Sequence, residues 1–425
     1  MVHEKMGSSF FLDSGRFRGR NGGLVLKLNV TALFAGIGGL ETGLHRSGHT
    51  TSLFCENDPE AVAVLANRFP KTPLSFDVRD TQGLISDIDR HSNLLTAGFP
   101  CTDLSQAGLM QGFDGSKSSL VWKVFDLLDH RPFPNVLFEN VPNWRVLHGG
   151  RYLTEVVEAL EARGYRWAYR TIDARAFGLP QRRLRVFLFA TLEGDPRSVL
   201  FHGSETPSDE AFGLREAAHG FYWTEGNKGL GWGENCVPTL KGGSSIGIPA
   251  SPAILLPNGR IITPDVRDGE RLQGFTEDWT NIEAVLKAHG QRKFNQRKRW
   301  LLVGNAVNVD VATWIGQNLA KQRAWRQPDG VIIPPGSKWP AAAYNTGSSR
   351  HAAILSSWPV KKTPEPLAEF LQYEGQPLSL RASSGFYSRI MKSKLRISVQ
   401  FKNAIARHIE RMEKIEERRL LRAAE

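Results

Sequence analysis

The sequence predicts an α/β fold in two parts: a Rossmann-like, mostly parallel sheet with helices on both faces, and a smaller domain of irregular and β structure. Three observations predict it. Strand and helix patterns alternate from Val25 to Thr191. A glycine-rich turn, Gly36 to Gly39, follows the first strand pattern. From Glu193 to Arg260 helical periodicity disappears, and Gly, Pro, Ser and Trp become frequent.

The first strand and the turn after it have the arrangement of a nucleotide cradle. Val25 to Ala35 is a strand pattern, Gly36-Ile37-Gly38-Gly39 a tight turn, and Leu40 to Arg46 a helix pattern. Glycines let a ligand approach the backbone closely, and the helix N-terminus offers free N–H groups to an anion or a carboxylate. Tight glycine turns are common, so this pattern alone indicates nucleotide binding only weakly.

Acidic residues stand at the ends of the next two strands. Thr51 to Cys55 ends at Glu56, which lies 20 residues after Gly36. An acid at this place can accept both ribose hydroxyls of an adenosine; the alternative is an acid in a solvated loop. The third strand, Leu74 to Phe76, ends at Asp77.

A cysteine follows the fourth strand. Leu94 to Ala97 is a short buried strand pattern, and Gly98-Phe99-Pro100 leads from it to Cys101. Proline fixes the backbone before the thiol, and the glycine-rich segment from Thr102 to Gly115 is a candidate closing loop. A structural cysteine usually lies inside an apolar run. The setting therefore favours a reactive thiol, and the alternative is an idle one.

The fifth strand, Asn135 to Phe138, runs into Glu139. The carboxyl ends of parallel strands share one edge of a sheet, where ligands bind. The groups expected at this edge are the Gly36 turn, Glu56, Asp77, Cys101 and Glu139. The remaining predicted elements are helices at Leu120–Leu128 and Tyr152–Arg163 and strands at Tyr165–Ile172 and Arg185–Thr191.

Charge and cysteine content narrow the partners and the compartment. The 425 residues carry a net charge of +11, which favours a polyanionic partner such as nucleic acid; the alternative is a merely basic soluble protein. Cys55, Cys101 and Cys236 lack metal-ligand spacing, which predicts free thiols, a reducing cytoplasm and no metal. Apolar runs stay well short of ~20 residues, so we expect no membrane span and no secretory signal.

One reaction uses a thiol, a carboxylic acid, an adenosine-bearing cofactor and a positive surface together. Carbon 5 of cytosine is a poor nucleophile. Addition of a thiolate to carbon 6 makes an enamine whose carbon 5 can attack a methyl donor, and a partly buried acid that protonates N3 assists the addition. The thiol, whose ordinary pKa is about 8.5, needs a positive field, which Arg183 or Arg185 could supply.

Six ordered motifs resemble those of the cytosine-5 DNA methyltransferase family, over nearly all of Val30 to Gly316. One alone would be weak, but the ordered set is specific. The motifs are Phe34-Ala35-Gly36-Ile37-Gly38-Gly39, Gly98-Phe99-Pro100-Cys101, Glu139-Asn140-Val141, Gln181-Arg182-Arg183-Leu184-Arg185, Arg271-Leu272-Gln273-Gly274-Phe275 and Gly304-Asn305-Ala306-Val307. Thr239-Leu240 is similar to the Thr-Leu pair of the family's target-recognition region.

The resemblance implies a Rossmann-like S-adenosylmethionine-dependent methyltransferase sheet, a small target-recognition domain across a cleft from it, and a target base flipped out of double-stranded DNA. It implies S-adenosyl-L-methionine as methyl donor, S-adenosyl-L-homocysteine as product, and no metal. Cys101 would be the nucleophile, Glu139 the acid at N3 and Arg183 a pocket electrophile, with Gln181 and Arg185 in the same catalytic motif.

The resemblance also implies roles in cofactor and DNA binding. Glu56 would hold the ribose, Asp77 the adenine amine, and Asn305 with the glycine turn the methionine end. The implied cofactor contacts are Phe34, Gly36, Gly38, Gly39, Glu56, Asn57, Asp77, Val78, Pro100, Leu120, Asn305, Ala306 and Val307. The implied DNA contacts are Thr239, Leu240, Arg271, Gln273, Arg292, Lys293 and Arg297.

The chain departs from the family pattern at three places. Thr102 stands where Gln is usual, Asn57 where some members have an aromatic that stacks on adenine, and the segment before Leu120 lacks an arginine often seen there.

The expected division of the chain has five parts. They are a flexible basic arm at 1–24, a catalytic cofactor-binding domain at 25–192, a target-recognition domain at 193–299, a return segment at 300–326 that completes the catalytic domain, and a basic extension of unknown role at 327–425. The extension is expected to end in a helix from Val399 that packs on the body, with DNA contact as the alternative. We expect a monomer on DNA, in a bacterial or phage-infected cell, with a cognate restriction endonuclease as a candidate partner.

Three other functions compete with this interpretation. A nicotinamide or flavin oxidoreductase would use the glycine turn and Glu56 but leaves Cys101 and Glu139 unexplained. A catalytically inactive DNA-binding relative is at odds with the complete motif set. A transfer RNA methyltransferase of the same family would carry a Cys-Phe-Thr signature, which the sequence does not contain.

Overall fold

A computed structural model describes residues 16–18, 24–100, 120–207, 210–242, 251–283, 287, 296–321, 325 and 330–424. Its strands are β1 (Arg16–Arg18), β2 (Leu24–Leu26), β3 (Asn29–Leu33), β4 (Thr50–Cys55), β5 (Leu74–Ser75), β6 (Leu94–Ala97), β7 (Asn135–Asn140), β8 (Arg166–Asp173), β9 (Leu184–Thr191), β10 (His219–Phe221), β11 (Gly233–Glu234), β12 (Ala253–Leu255), β13 (Ile261–Thr263), β14 (Val331–Ile332), β15 (Ala342–Asn345), β16 (Arg350–Ala352) and β17 (Gln376–Pro377). Its helices are α1 (Gly39–Arg46), α2 (Pro59–Arg68), α3 (Thr81–Asp87), α4 (Leu120–His130), α5 (Arg151–Ala162), α6 (Arg197–Leu200), α7 (Val266–Leu272), α8 (Gln296–Asn305), α9 (Val309–Lys321), α10 (Leu367–Phe370), α11 (Leu380–Lys392) and α12 (Val399–Ala424).

The large sheet has ten strands in the order β14-β16-β15-β8-β9-β7-β6-β3-β4-β5. The half from β7 to β5 is parallel, as predicted. The half from β9 to β14 is antiparallel, so the prediction of a mostly parallel sheet is wrong there. The reason is the short connection between β8 and β9, which contains no crossover helix and therefore turns the chain back on itself.

Helices cover both faces of this sheet, as the sequence predicts. One face packs against α4 and α5, whose Val124, Phe125 and Leu160 are buried. The other face packs against α1 and α9, with Leu44 and Ile315 buried between them and the strands. Helix α9 lies in the segment 300–326, which follows the small domain in the sequence. This segment therefore packs on the large sheet together with α1.

The small sheet has five antiparallel strands in the order β11-β10-β12-β13-β17. Alternation along β12 sends Ile254 to a cluster shared with Leu179 and Val303 of the large domain. Leu255 points to the opposite cluster, with Phe386 and Phe401 of α11 and α12. The small sheet is therefore a layer between the large domain and a pair of C-terminal helices.

Residues after 327 do not form an extension of their own. Strands β14, β15 and β16 continue the large sheet through the pairing of β15 with β8. Strand β17 joins the small sheet, and α11 and α12 cover it. The expected helix from Val399 is confirmed as α12. The single strand predicted over Val25 to Ala35 is two strands, β2 and β3, separated at Lys27 and Leu28.

Candidate active site

The carboxyl edge of the parallel strands gathers three chain segments. They are the turn after β3, the loop after β6, and the end of β7 with Glu139. Strand β6 lies between β3 and β7. A Cβ built on Gly98, just after β6, would lie 3.6 Å from Glu139 Oε2 and 3.9 Å from the Phe34 carbonyl oxygen. The three segments therefore meet around Gly98.

Glu139 is a buried carboxylic acid with one charged partner. Its residue is 9 % exposed, and Arg185 Nε lies 3.0 Å from its Oε1. Burial raises the pKa of Glu139, while the charges of Arg185 and Arg183 lower it, and the net direction is upward. A group in this state keeps its proton to higher pH than an exposed glutamate, which suits proton donation.

Asn140 fixes the loop that leads to the cysteine. Its Nδ2 donates to the Phe99 carbonyl oxygen at 3.2 Å, and its Oδ1 accepts from the Val141 N–H at 2.8 Å. Phe99 is buried and packs edge-on against Phe138 and Trp144. The chain is thus anchored at Phe99, although Cys101 itself lies outside the described residues.

The two arginines of the Gln181–Arg185 motif have different surroundings, and this corrects one expectation. Arg183 was expected to be the pocket electrophile, but its guanidinium is buried and donates to the carbonyl oxygens of Leu240, Gly304 and Ala306 at 2.9, 3.1 and 2.6 Å. Arg185 is the residue that reaches Glu139. Residues two apart on a strand point to the same face, but Arg183 precedes β9 and Arg185 lies within it, and the two side chains have different partners.

Gln181 also joins the two domains instead of facing the pocket. It is fully buried, its Nε2 donates to the Leu272 carbonyl at 2.7 Å, and its Oε1 accepts from the Leu240 N–H at 3.2 Å. Thr239 Oγ1 donates to the Arg182 carbonyl at 2.7 Å. These bonds attach the recognition segment, Thr239 and Leu240, to the residues just before β9.

Several expected DNA contacts are in positions that do not suit DNA contact. Leu240 and Gln273 are buried; Gln273 Nε2 donates to the Val303 carbonyl at 2.7 Å. Arg271 donates to Asp268 and to the Phe370 carbonyl, at 2.8 and 2.6 Å. Arg297 is exposed. Arg292 and Lys293 lie outside the described residues.

The glycine turn is tightly built. Phe34 has a φ of 54°, a left-handed value that costs a bulky residue roughly 1–3 kcal/mol. A Cβ on Gly39 would collide with the Val307 carbonyl oxygen, and one on Gly38 would lie 2.7 Å from Phe69. The turn and the Gly304–Val307 motif are therefore in direct contact, although more than 260 residues separate them in the sequence.

The Glu56 carboxylate is fixed by backbone N–H groups. Its Oε2 accepts from Gly36 at 2.7 Å, and its Oε1 accepts from Asn57 and Asp58, each at 2.9 Å. These hydrogen bonds link the end of β4 to the glycine turn and fix the orientation of the Glu56 carboxylate beside it. Asp77 forms a two-point ion pair with Arg79, whose hydrogen bonds hold the pKa of Asp77 low, so it is an anion at neutral pH.

The other residues expected to contact the cofactor differ in how far they are exposed to solvent. Asn57, Pro100 and Asn305 are exposed, and Leu120 and Val307 are half-buried. Val78 and Ala306 are buried, so contact from these two would come through the backbone.

Phe76 is a residue that the sequence reasoning missed. It is 61 % exposed, unusual for a large apolar side chain at a strand end. Strands β4 and β5 pair Cys55 with Ser75, and the Glu56 N–H donates to the Ser75 carbonyl. Phe76 is therefore the neighbour of Glu56 at the cofactor edge. The signal was present in the sequence as an aromatic directly before Asp77.

In the described part of the chain, no group of three or more His, Cys, Asp and Glu side chains could hold a metal ion. Across the same residues, no helix is long and apolar enough to cross a membrane.

Comparisons with known proteins agree with the geometry. A family model described as C-5 cytosine-specific DNA methylase matches residues 28–216. The chain is 42 % identical to the type II methyltransferase M2.BsuMI of Bacillus subtilis (strain 168), over 89 % of this chain and 98 % of that protein. It is 28 % identical to the type II methyltransferase M.DsaV of Dactylococcopsis salina, over 69 % and 86 %.

A solved structure supports the fold. The chain superposes on the crystal structure of the S. pombe Dnmt2 methyltransferase with a TM-score of 0.50 and 15 % sequence identity. The superposition covers 69 % of this chain and 98 % of the Dnmt2 chain. At this identity the likeness concerns the fold alone. It agrees with a large mixed sheet flanked by helices on both faces.

Proposed function

The chain belongs to the C-5 cytosine-specific DNA methylase family, and we propose that it methylates carbon 5 of a cytosine flipped out of a specific double-stranded DNA sequence. Its relatives support a DNA (cytosine-5-)-methyltransferase. The observation that carries the finer proposal is the buried Glu139, paired with Arg185 beside the loop that leads to Cys101.

The reaction begins with the flipped base in the pocket. The Cys101 thiolate adds to carbon 6, and the protonated Glu139 gives its proton to N3, so the ring is neutral when carbon 5 becomes nucleophilic. Carbon 5 then takes the methyl group and loses its proton to a base, the Cys101–carbon 6 bond breaks to release the thiolate, and N3 returns its proton to the Glu139 carboxylate. Unpairing and flipping the base cost a few kcal/mol, which contacts in the pocket offset.

Arg185 is the arginine proposed to contact the flipped cytosine. Its guanidinium lies against Glu139, which supports a role in donating to the cytosine carbonyl oxygen, and its positive charge would favour the Cys101 thiolate. Arg183 is a positioning residue. Its bonds to Leu240, Gly304 and Ala306 hold the recognition segment and the return segment around the pocket.

The residues of the cradle fit S-adenosylmethionine. The bound cofactor supplies an electrophilic methyl group. The glycine turn would hold the methionine end, the fixed Glu56 carboxylate would accept hydrogen bonds from the ribose hydroxyls, and the Asp77 carboxylate would accept one from the adenine amine. Asn305 is exposed, two residues before Val307, whose carbonyl oxygen contacts this turn, and is proposed to hold the methionine carboxylate.

Covalent trapping tests the mechanism. We expect bisulfite sequencing of DNA from cells that express the protein to find methylated cytosines at one sequence. A duplex with that sequence and 5-fluorocytosine at the target should form a covalent complex with the wild type but not with Cys101→Ala. The variant should lose methyl transfer and still bind DNA; full activity in Cys101→Ala would refute the mechanism.

A cofactor assay separates the competing functions. Thermal stabilisation by S-adenosylhomocysteine is expected, and stabilisation by NAD alone would favour the oxidoreductase. An inactive relative would bind DNA without methylating it. Type II relatives also make a cognate restriction endonuclease a proposed partner.

We propose that Phe76 takes the stacking role for which Asn57 is unsuited. The exposed ring lies next to Glu56 at the cofactor edge, and stacking of a base on an aromatic contributes about 1–3 kcal/mol. Phe76→Ala should weaken S-adenosylhomocysteine binding by roughly tenfold to a hundredfold in calorimetry. Phe76→Trp should retain binding, and Ile354→Ala, at an exposed site in the C-terminal part, is the control. Unchanged affinity in Phe76→Ala would contradict the assignment.

A further inference from the structure

The small domain carries a groove that the proposed reaction does not use. It has a volume of about 1200 Å³ and lies between the β10–β11 end of the small sheet and the first half of α12. Its lining includes the side chains of Arg215, Arg396, Arg407 and Arg411, all of them exposed. We call this feature the basic groove.

The basic groove is on the far side of the small sheet from the large domain. Leu255 and Phe401, which line it, belong to the apolar cluster that joins the sheet to α11 and α12. The cluster that joins the sheet to the large domain contains other residues, including Ile254 and Leu240. The groove is therefore a surface separate from the base pocket.

The four arginines of the basic groove outnumber its carboxylates, and the carboxylates accept hydrogen bonds from neighbouring N–H groups. Two carboxylates line it. Glu216 accepts from the Gly213 N–H at 2.8 Å, and Glu234 accepts from the Phe212 N–H and from Trp232 Nε1, each at 3.4 Å. Within the described ranges, none of the four arginines forms an ion pair within 4 Å. The groove therefore presents a net positive field to solvent.

Helix α12 continues this charge beyond the groove. Arg407, Arg411, Lys414 and Arg418 are spaced by four, three and four residues, so they share one helix face. Three of the four helix carboxylates, Glu410, Glu413 and Glu417, repeat on the neighbouring face, and Glu416 lies on the opposite one. From Glu413 to Arg422 every residue is exposed. The four cations span roughly 16 Å at 1.5 Å per residue, a row we call the basic stripe.

We propose that the basic groove and the basic stripe bind the phosphate backbone of duplex DNA that flanks the target site. Charge complementarity supports this assignment. A row of exposed cations faces a strand that carries one phosphate per about 3.4 Å of duplex axis, and the groove exceeds the roughly 300–1,000 Å³ of small-molecule sites. Contacts of this kind set affinity and register without reading bases. The proposal rests on the proposed function, since it extends the footprint of the same DNA.

The test measures how DNA binding depends on salt. The full-length protein with S-adenosylhomocysteine is titrated onto a fluorescein-labelled 30-bp duplex of arbitrary sequence from 50 to 300 mM NaCl. Each lost phosphate contact lowers the slope of log K against log salt by about 0.9. Arg407→Gln/Arg411→Gln should therefore lower the slope by about 2 and weaken binding most at low salt.

Two control variants accompany it. Lys71→Gln/Arg90→Gln removes two exposed cations at the opposite, amino edge of the large sheet, and its slope should equal that of the wild type. Glu413→Gln/Glu417→Gln changes the neighbouring face of α12 and should not lower the slope. The substituted side chains are exposed, and melting curves check that each variant is folded.

The outcomes separate this proposal from the proposed function. A wild-type slope in Arg407→Gln/Arg411→Gln overturns the groove proposal, and it would leave an acidic protein as the occupant. Methyl incorporation into unmethylated genomic DNA is measured in parallel on the wild type. Incorporation with an unchanged variant slope refutes the groove alone. A lowered slope without wild-type incorporation supports the groove and refutes the function.

Discussion

At Glu139 the local environment, more than the residue type, sets the chemistry. An exposed glutamate is an anion at neutral pH and cannot donate a proton. Burial beside Gly98 and Phe34 raises its pKa, and Arg185 limits the rise. The same arginine thus holds the carboxyl in place and limits how far burial raises the pKa of Glu139.

The pH dependence of methyl transfer follows from this state. Because the pKa of Glu139 is raised and its protonated form is the active one, the rate should fall as pH rises through that pKa. Glu139→Gln should lower the rate by about 10²–10⁴-fold and remove that decline. Single-turnover rates across pH measure both effects. An unchanged rate in Glu139→Gln would exclude the acid role.

Arg183 and Arg185 should fail in different ways. Arg183→Ala leaves three buried carbonyl oxygens without their donor, at about 1–3 kcal/mol each, so we expect a clear loss of stability. Arg185→Ala removes the cation proposed to contact the base and to favour the Cys101 thiolate, so methyl transfer should be lost. Without Arg185 the pKa of Glu139 rises further, and the buried carboxyl stays neutral, so the melting temperature should change little. Melting curves and methyl-transfer rates of both variants test these expectations. An Arg183→Ala protein as stable as the wild type would contradict the structural role of Arg183.

At the scale of elements, helix α1 carries a buried acid that the reaction does not use. Glu41 lies in its first turn, 2 % exposed, and accepts from Thr96 of β6 at 2.9 Å through Oε1. Its Oε2 has no hydrogen-bond partner in the described part of the chain. Burial raises the pKa of Glu41 from 4.5 to about 7, against the lowering effect of its hydrogen bonds.

Glu41 should make the protein less stable as pH rises. The unfolded chain releases this proton near pH 4.5 and the folded one near pH 7, so the stability present below 4.5 is lost through 7, by about 3 kcal/mol. Glu41→Gln cannot titrate, so its stability relative to the wild type should increase from pH 5 to pH 8. Urea unfolding at both pH values measures this, with the exposed Glu365→Gln as control. A pH-independent difference would disprove the raised pKa.

At the scale of the whole molecule, the last hundred residues complete both domains. Strand β15 covers β8, and Trp339 packs against Trp167 and Tyr169 with ring centroids 6.0 Å apart. Phe386 and Phe401 fill the cluster on the outer face of the small sheet. Without these residues both sheets would expose apolar side chains, and the large sheet an open edge.

Truncation separates structural from peripheral parts of the tail. A chain that ends at residue 327 loses four strands and both covering helices, so we expect aggregation instead of a folded, active enzyme. A chain that ends at residue 412 keeps every buried residue of α12 and should melt within a few degrees of the full chain. Soluble yield and melting temperature test this. An active, stable chain ending at 327 would show that the tail is dispensable.

The sequence by itself determined the family, the alternation of strands and helices, and the acids at the strand ends. These features are local: a strand pattern, a glycine turn and an acid at a fixed spacing are legible wherever they occur. The helices on both faces and the helix from Val399 were predictable for the same reason.

Only the tertiary structure decided which polar residue does what. Arg183 and Arg185 are two positions apart, yet one is enclosed by carbonyls from distant segments and the other faces Glu139. Gln273 and Leu240 match motif positions but are buried. The tail's three strands join the sheet through pairing with β8, more than 170 residues away. Burial and long-range pairing depend on segments far apart in the chain, and a local pattern carries no record of them.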